Sequence, residues 1–417
     1  MAMKTKTNVN ASPSRRAAVK LAGGAALASV LARPAIAQAA TVKWWYHFDN
    51  PQHSPAELIA RFEAENPGIK VQAESLPWGG GNDYYTRLFA SIIAGNAPDC
   101  AMVKLNNQAR LVQMNALEPL EGHISNWAGR ADIPDNLWSL NRAANGKQYF
   151  LPLQYVVLYL YCRTDLLQQA GAQPPKNFED FLKAAKAVTK DGIAGFGMRG
   201  GGGGHDHWAT FVLGGGATFD KGGMVTEQAL AANRWFVALG REHKVFPESA
   251  PTDGFRQIID GFKAGRTAMT IHHIGSANEM VQALGDKVSA VPVPRSAAGK
   301  GWTAFGDESN AVFAASRNKE AAFKWIAFLS TGKNNVDFNR FTGQLTVTKS
   351  GGAGWDLHPK RFVDATFDSL PVAGVLPDLT QTADFTRTVW PVNMQRALLG
   401  QITPDAMMQA IEKHFHG

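Results

Sequence analysis

The conspicuous chemistry of the sequence lies in four places. Gly200–Gly204 runs into His205-Asp206-His207-Trp208, and His272-His273 ends an apolar run. Asp307-Glu308 stand side by side, and His47-Phe48-Asp49-Asn50 closes a β-rich opening segment. A glycine-rich loop can cradle phosphate on its backbone, but no Gly-Lys-Ser/Thr follows this one, which argues against a nucleotide P-loop. Glycines here let the backbone approach a ligand, or let it move. His205, His207, His272 and His273 raise a metal site as an alternative, but adjacent histidines rarely share one ion and no cysteine is near, so no metal is expected. A glycosidase needs two carboxylates about 5–9.5 Å apart, and adjacency sends the side chains of Asp307 and Glu308 different ways. Neither a Gly-x-Ser-x-Gly elbow nor a His-Glu-x-x-His motif occurs, so no enzyme is expected.

The surrounding elements read as α/β. Thr41–Tyr46 is a strand. Ser54-Pro55-Ala56-Glu57 offers an N-cap, a first-turn proline and a capping-box acid, and Asn66-Pro67-Gly68 stops the helix before the strand opening at Ile69. The spacing predicts further helices at Asp83–Ala94, Phe178–Lys190, Thr226–His243, Asp253–Ala264, Lys319–Ser330 and Pro404–His414. Strands are expected at Cys100–Val103, Tyr149–Leu153, Val156–Tyr161, Thr267–Ile271 and Val288–Val291. Ligands of open α/β sheets sit beyond the carboxyl ends of the strands. That places His47 and Asp49 on one candidate loop and Asn106 on the next.

At 417 residues the chain exceeds one compact core, so two domains or lobes are expected. The net charge of +7 suggests nucleic acid, but residues 1–40 hold six cations and no acid, leaving 36 cations against 35 acids elsewhere. No nucleic-acid partner is therefore expected. The basic segment reads as an export leader, with paired Arg15-Arg16, apolar residues from Leu21 to Ala32, and small-x-small sites ending at Ala37 and Ala39. The arginine pair resembles a twin-arginine signal, although Ala18 stands where Phe or Leu is usual, so the ordinary secretory route stays open. A periplasmic destination follows. Cys100 and Cys162 sit in strand-like runs and read as buried free thiols rather than a bridge.

Several segments, in order, resemble the family 1 extracellular solute-binding proteins of ABC importers, with the maltose-type sugar binders nearest. They are Phe62–Val71 around Asn66-Pro67-Gly68, Ala94–Asp99, Gly146–Pro152, Trp208 with Gly215-Gly216, Phe262–Met269, Val291–Pro294, Asn318–Ala322 and Leu399–Asp405. The resemblance implies two α/β lobes with three crossovers, near Leu151–Val157, Trp302–Glu308 and Gly343–Ser350, and a ligand cleft between the lobes. The expected division is a leader over 1–39, one lobe over 40–152 and 308–347, and a second over 153–307 and 348–417. It further implies a non-catalytic monomer without cofactor, whose partners are a small sugar or polyol and the membrane permease.

A sugar offers hydroxyls and flat C–H faces, so its site needs planar polar side chains and aromatic faces. The resemblance then adds Tyr85 in the first turn of its helix, Tyr155 in the first crossover, and Trp208 and Trp390 as stacking rings. Asn106 stands where maltose-type proteins have an aspartate. His205 and Asp206 replace aromatics, and candidate His273 ends the strand just before Ile274-Gly275-Ser276, which stands near where the family commonly has Gly-Pro-Trp. Gly306 and Asp307, at the second crossover, are expected to meet hydroxyls. Phosphorylated polyols such as glycerophosphates are the second ligand class, with Arg199, Arg340 and Arg387 as cations.

Overall fold

The structure is a computed structural model and describes residues 39–48, 54–78 and 82–417. The export leader and Asp49 lie outside the described residues. Strand β1 (Ala40–Tyr46) turns Val42, Trp44 and Tyr46 inward. It pairs in parallel with β2 (Ile69–Ser75) and β3 (Cys100–Lys104). The helix between β1 and β2 starts at Ala56, one residue later than the proline signal implies; Ser54 Oγ only accepts from the Ala56 N–H, at 3.3 Å.

The central element is β4 (Phe150–Arg163), one 14-residue strand where the sequence suggests two. Its first half pairs antiparallel with β8 (Thr303–Val312), and β8 continues onto β3. The second half pairs with β6 (Thr267–His273) and β7 (Val288–Val291), and β5 (Ala194–Phe196) completes that side. Two-residue β9 (Leu345–Thr346) and β10 (Ala373–Gly374) pair with β4 and β8. The Gln154-Tyr155 stretch that looked like a break is instead a register shift between Pro152 and Gln154. A shift of this kind bends a strand without ending it.

Four buried clusters flank these strands. Trp44, Phe62, Leu151 and Trp325 pack on one face of the first half, and Tyr84, Val103, Phe150 and Phe313 on the other. Around the second half, Leu160, Phe196, Trp208 and Trp390 oppose Tyr159, Tyr161, Phe262 and Phe362. Burial on both faces explains why β4 is a near-continuous apolar run rather than an alternation. Cys100 and Cys162 are free and buried, each in a different cluster. Among the described residues no helix is long and apolar enough to cross a membrane.

Candidate ligand cleft

A cavity of about 1230 Å³ opens where the strands of both halves end. Its first wall comes from the β1, β3 and β8 ends. Antiparallel register sets Lys104 opposite Glu308, and their side chains meet at 2.5 Å. His47 Nε2 comes within 3.1 Å of the same carboxylate, an ion-pair distance without good hydrogen-bond alignment. Glu308 is buried, which by itself would raise its carboxyl; the summed pull of His47 and Lys104 instead holds it well below the usual range. Trp78 lies beside this cluster, its ring 4.7 Å below the Lys104 ammonium. Tyr85 is fixed because its hydroxyl accepts from the Lys104 N–H at 2.7 Å.

The second wall is built by the loop after β5 and the end of β6. Arg199 precedes the glycine run, and its guanidinium lies against that run: a Cβ on Gly203 would fall 2.5 Å from Arg199 Nη2. Gly203 also has φ +80°, a conformation that favours glycine. Gly200 and Gly204 are needed for contact with the protein itself, since a Cβ would strike the Ala250 and Arg199 carbonyl oxygens. Much of the run thus serves close backbone packing rather than motion. Burial pulls the Arg199 guanidinium down to about 10, with Asp206 working the other way, so it stays charged at neutral pH.

The histidines of this wall are neutral donors and acceptors. His207 Nδ1 accepts from the Arg199 N–H at 3.2 Å and its Nε2 faces the Ile271 carbonyl at 2.8 Å, which assigns the proton to Nε2. Burial takes it down to about 3. His273 Nδ1 accepts from the Gly275 N–H at 3.1 Å and faces Gln344 Nε2 at 3.2 Å. Burial and the Lys104 charge, against a smaller opposing effect of Glu308, bring it to about 3 as well. Among the described residues no group of three histidines, cysteines or carboxylates is placed to hold a metal ion.

Of the residues expected from sequence, His47, Tyr85, Asn106, His205, Asp206, His273 and Gly306 line the cavity. Trp208 does not. It is fully buried, donates from Nε1 to Asn233 Oδ1 at 2.8 Å and packs near Phe385 and Trp390. Trp390 is equally buried in that cluster. Both lie fully buried in one apolar cluster, packed among neighbouring helices, and neither offers a face to a ligand. Tyr155 does not line the cavity; it packs edge-on against the lining residue Phe305. Asp307 pairs with Tyr155 through the backbone, and its side chain lies outside the described residues. Sequence reading missed Trp78, Lys104, Phe255, Trp302, Glu308 and Gln344 as lining residues. Trp78 and Lys104 carry a usable signal, since both sit at or just beyond the carboxyl end of a strand. Gln344 and Phe255 reach the cavity only through tertiary packing.

Comparisons with known proteins agree with this architecture. A sequence model of the family "bacterial extracellular solute-binding protein" matches residues 49–335. A binding protein of Brucella abortus (strain 2308) is 28% identical over 368 residues, covering 85% of this chain and 86% of its own. Two solved structures share the fold. The solute-binding protein of an ABC transporter from Thermotoga lettingae TMO, bound with α-D-tagatose, has a TM-score of 0.77 at 23% identity, covering 90% of this chain and 98% of its own. The maltose-bound MalE3 of T. maritima has a TM-score of 0.78 at 20% identity, covering 90% and 99%. With its two-lobed α/β fold and the match over most of its length, the chain belongs to the bacterial extracellular solute-binding protein family.

Proposed function

We propose that the protein is the substrate-binding component of an ABC importer, capturing a sugar in this cleft and delivering it to the membrane permease. The lobes would span residues 40–152 with 308–347, and 153–307 with 348–417. The leader would take the chain to the periplasm, by the twin-arginine route or the general one, with cleavage after Ala37 or Ala39. The observation that carries the reading is the composition of the cleft wall. Aromatic faces (Trp78, Phe255, Trp302) stand among planar polar groups (Asn106, His273, Gln344). Rings cover apolar C–H faces, and directional groups sort hydroxyls, since an unpaired buried polar group costs about 1–3 kcal/mol. The sugars bound by the Thermotoga proteins support the same class.

The test is a thermal-shift panel of neutral sugars, sugar acids and polyols on the exported protein. A ligand at a hundred times its Kd adds about 2.7 kcal/mol of stability, which moves the midpoint measurably. Protection by at least one sugar, with the sugar recovered unchanged, is the expected result. Protection by amino acids or peptides alone, or turnover of the bound sugar, would overturn the reading.

A further inference from the structure

We infer that the ligand carries an oxyanion group, a carboxylate, phosphate or sulfate, and that Arg199 anchors it. This rests on the reading that the cleft binds a small solute, and it narrows that solute's chemistry. Arg199 lines the cleft, yet its Nε and Nη2 are closed to solvent and find no protein acceptor. Those two nitrogens form the edge of a guanidinium that grips two oxygens at once. The same edge is filled elsewhere in this protein. Arg163 Nε and Nη2 hold both oxygens of Asp165 at 2.9 and 2.7 Å, and Arg234 holds Asp405 at 2.7 and 2.6 Å. Asp206 offsets the Arg199 charge through space and the Phe255 ring lies 6.0 Å from the guanidinium carbon, but neither supplies an acceptor to that edge.

The other charges of the cleft do not leave an acid free for Arg199. Lys104 is matched by Glu308, Arg256 by Glu279 and Arg340 by Asp356. Arg387 donates to Thr86 Oγ1 at 2.9 Å, and its buried Nε also lacks an acceptor. The cleft therefore presents a guanidinium edge with two donors and no protein acceptor, which suits a two-oxygen anion better than a neutral sugar. Gly203 packs closely over the guanidinium, where any larger residue would strike it.

The experiment is calorimetric titration of the exported protein with matched pairs: galactose and galacturonate, glucose and glucose 6-phosphate, glycerol and glycerol 3-phosphate. In at least one pair the anion binds tenfold or more tightly than its neutral parent. Arg199→Gln abolishes that preference, and Arg199→Lys restores it only in part, because the charge returns without the fork. The pair that responds distinguishes carboxylate from phosphate. Glycerol 3-phosphate binding without any sugar acid would keep the anion anchor and remove the sugar reading. Equal affinity for a neutral parent, or an anion affinity unmoved by Arg199→Gln, would overturn the inference and leave the sugar reading standing. Absence of binding across the panel at millimolar concentration counts against both.

Discussion

A tryptophan can serve a ligand or a core, and burial separates the two roles here. Trp78 is half-buried on the cleft wall, whereas Trp208 has no exposed surface and a satisfied indole N–H. Trp78→Ala is therefore expected to weaken sugar binding about tenfold to a hundredfold while the melting temperature of the free protein barely moves. Trp208→Ala should cost about 3–5 kcal/mol of stability, read as a lower denaturation midpoint. Equal loss of stability in both variants would show that Trp78 is also a packing residue. Sequence alone could not make this distinction, because both tryptophans follow or border glycine-rich loops and only tertiary packing decides which ring faces solvent. The buried histidines add a pH dependence. His207 is held at about 3 against an ordinary 6.5, so between those values the unfolded chain binds a proton that the folded chain refuses. Stability is then complete above about pH 6.5 and declines as pH falls toward 3. Urea midpoints measured from pH 7 to 5, above the carboxylate range, should fall. His207→Gln should flatten the slope by about one proton's share, and an unchanged slope would rule out His207 as a contributor.

Strand β4 owes its continuity to side chains from distant elements. At the register shift the Leu153 carbonyl leaves the ladder, and two asparagines replace the lost donors: Asn335 Nδ2 at 2.9 Å and Asn339 Nδ2 at 3.0 Å. Ser330 Oγ donates to the Pro152 carbonyl at 2.7 Å. Asn335 does more, because its Nδ2 also reaches the Leu329 carbonyl and its Oδ1 accepts from the Val347 N–H and from Thr346 Oγ1. One buried amide thus ties β4, the Lys319–Leu329 helix and β9 together. Asn335→Ala would orphan several buried groups at about 1–3 kcal/mol each. A loss of more than about 2 kcal/mol is expected in denaturant titration, and a midpoint within error of the parent protein would refute this account. Most helices and strands were legible from apolar spacing and from turn residues such as Asn66-Pro67-Gly68, because those signals are local. The β4 junction was not, since a bulge supported by residues nearly two hundred positions away leaves no mark in the local pattern. For the same reason Lys104 and Glu308 looked unrelated in sequence, although antiparallel register makes them direct neighbours.

At the scale of the whole molecule, the size of the cavity bears on how it works. About 1230 Å³ is more than the roughly 300–1,000 Å³ in which a small ligand is usually enclosed. A monosaccharide or sugar acid would fill only part of this space. Phe255 accompanies Arg199 on the second wall and Trp78 accompanies Lys104 on the first, so a ligand that engages all of them must span both. We expect the walls to approach around a small ligand, since a ligand that binds a closed arrangement better shifts the population toward it. β4 passes from one sheet region to the other, and β8 runs antiparallel beside it, so bending near the Pro152–Gln154 shift would move one wall against the other without breaking either core. Small-angle scattering of the exported protein should accordingly give a smaller radius of gyration at ligand saturation than without ligand. The change should disappear in Arg199→Gln when the probe is a sugar acid, because the second wall then loses its hold. An identical profile with and without saturating ligand would mean that the cavity binds as a rigid bowl. In that case the closure account fails, and affinity would be set by the lining residues in the arrangement seen here.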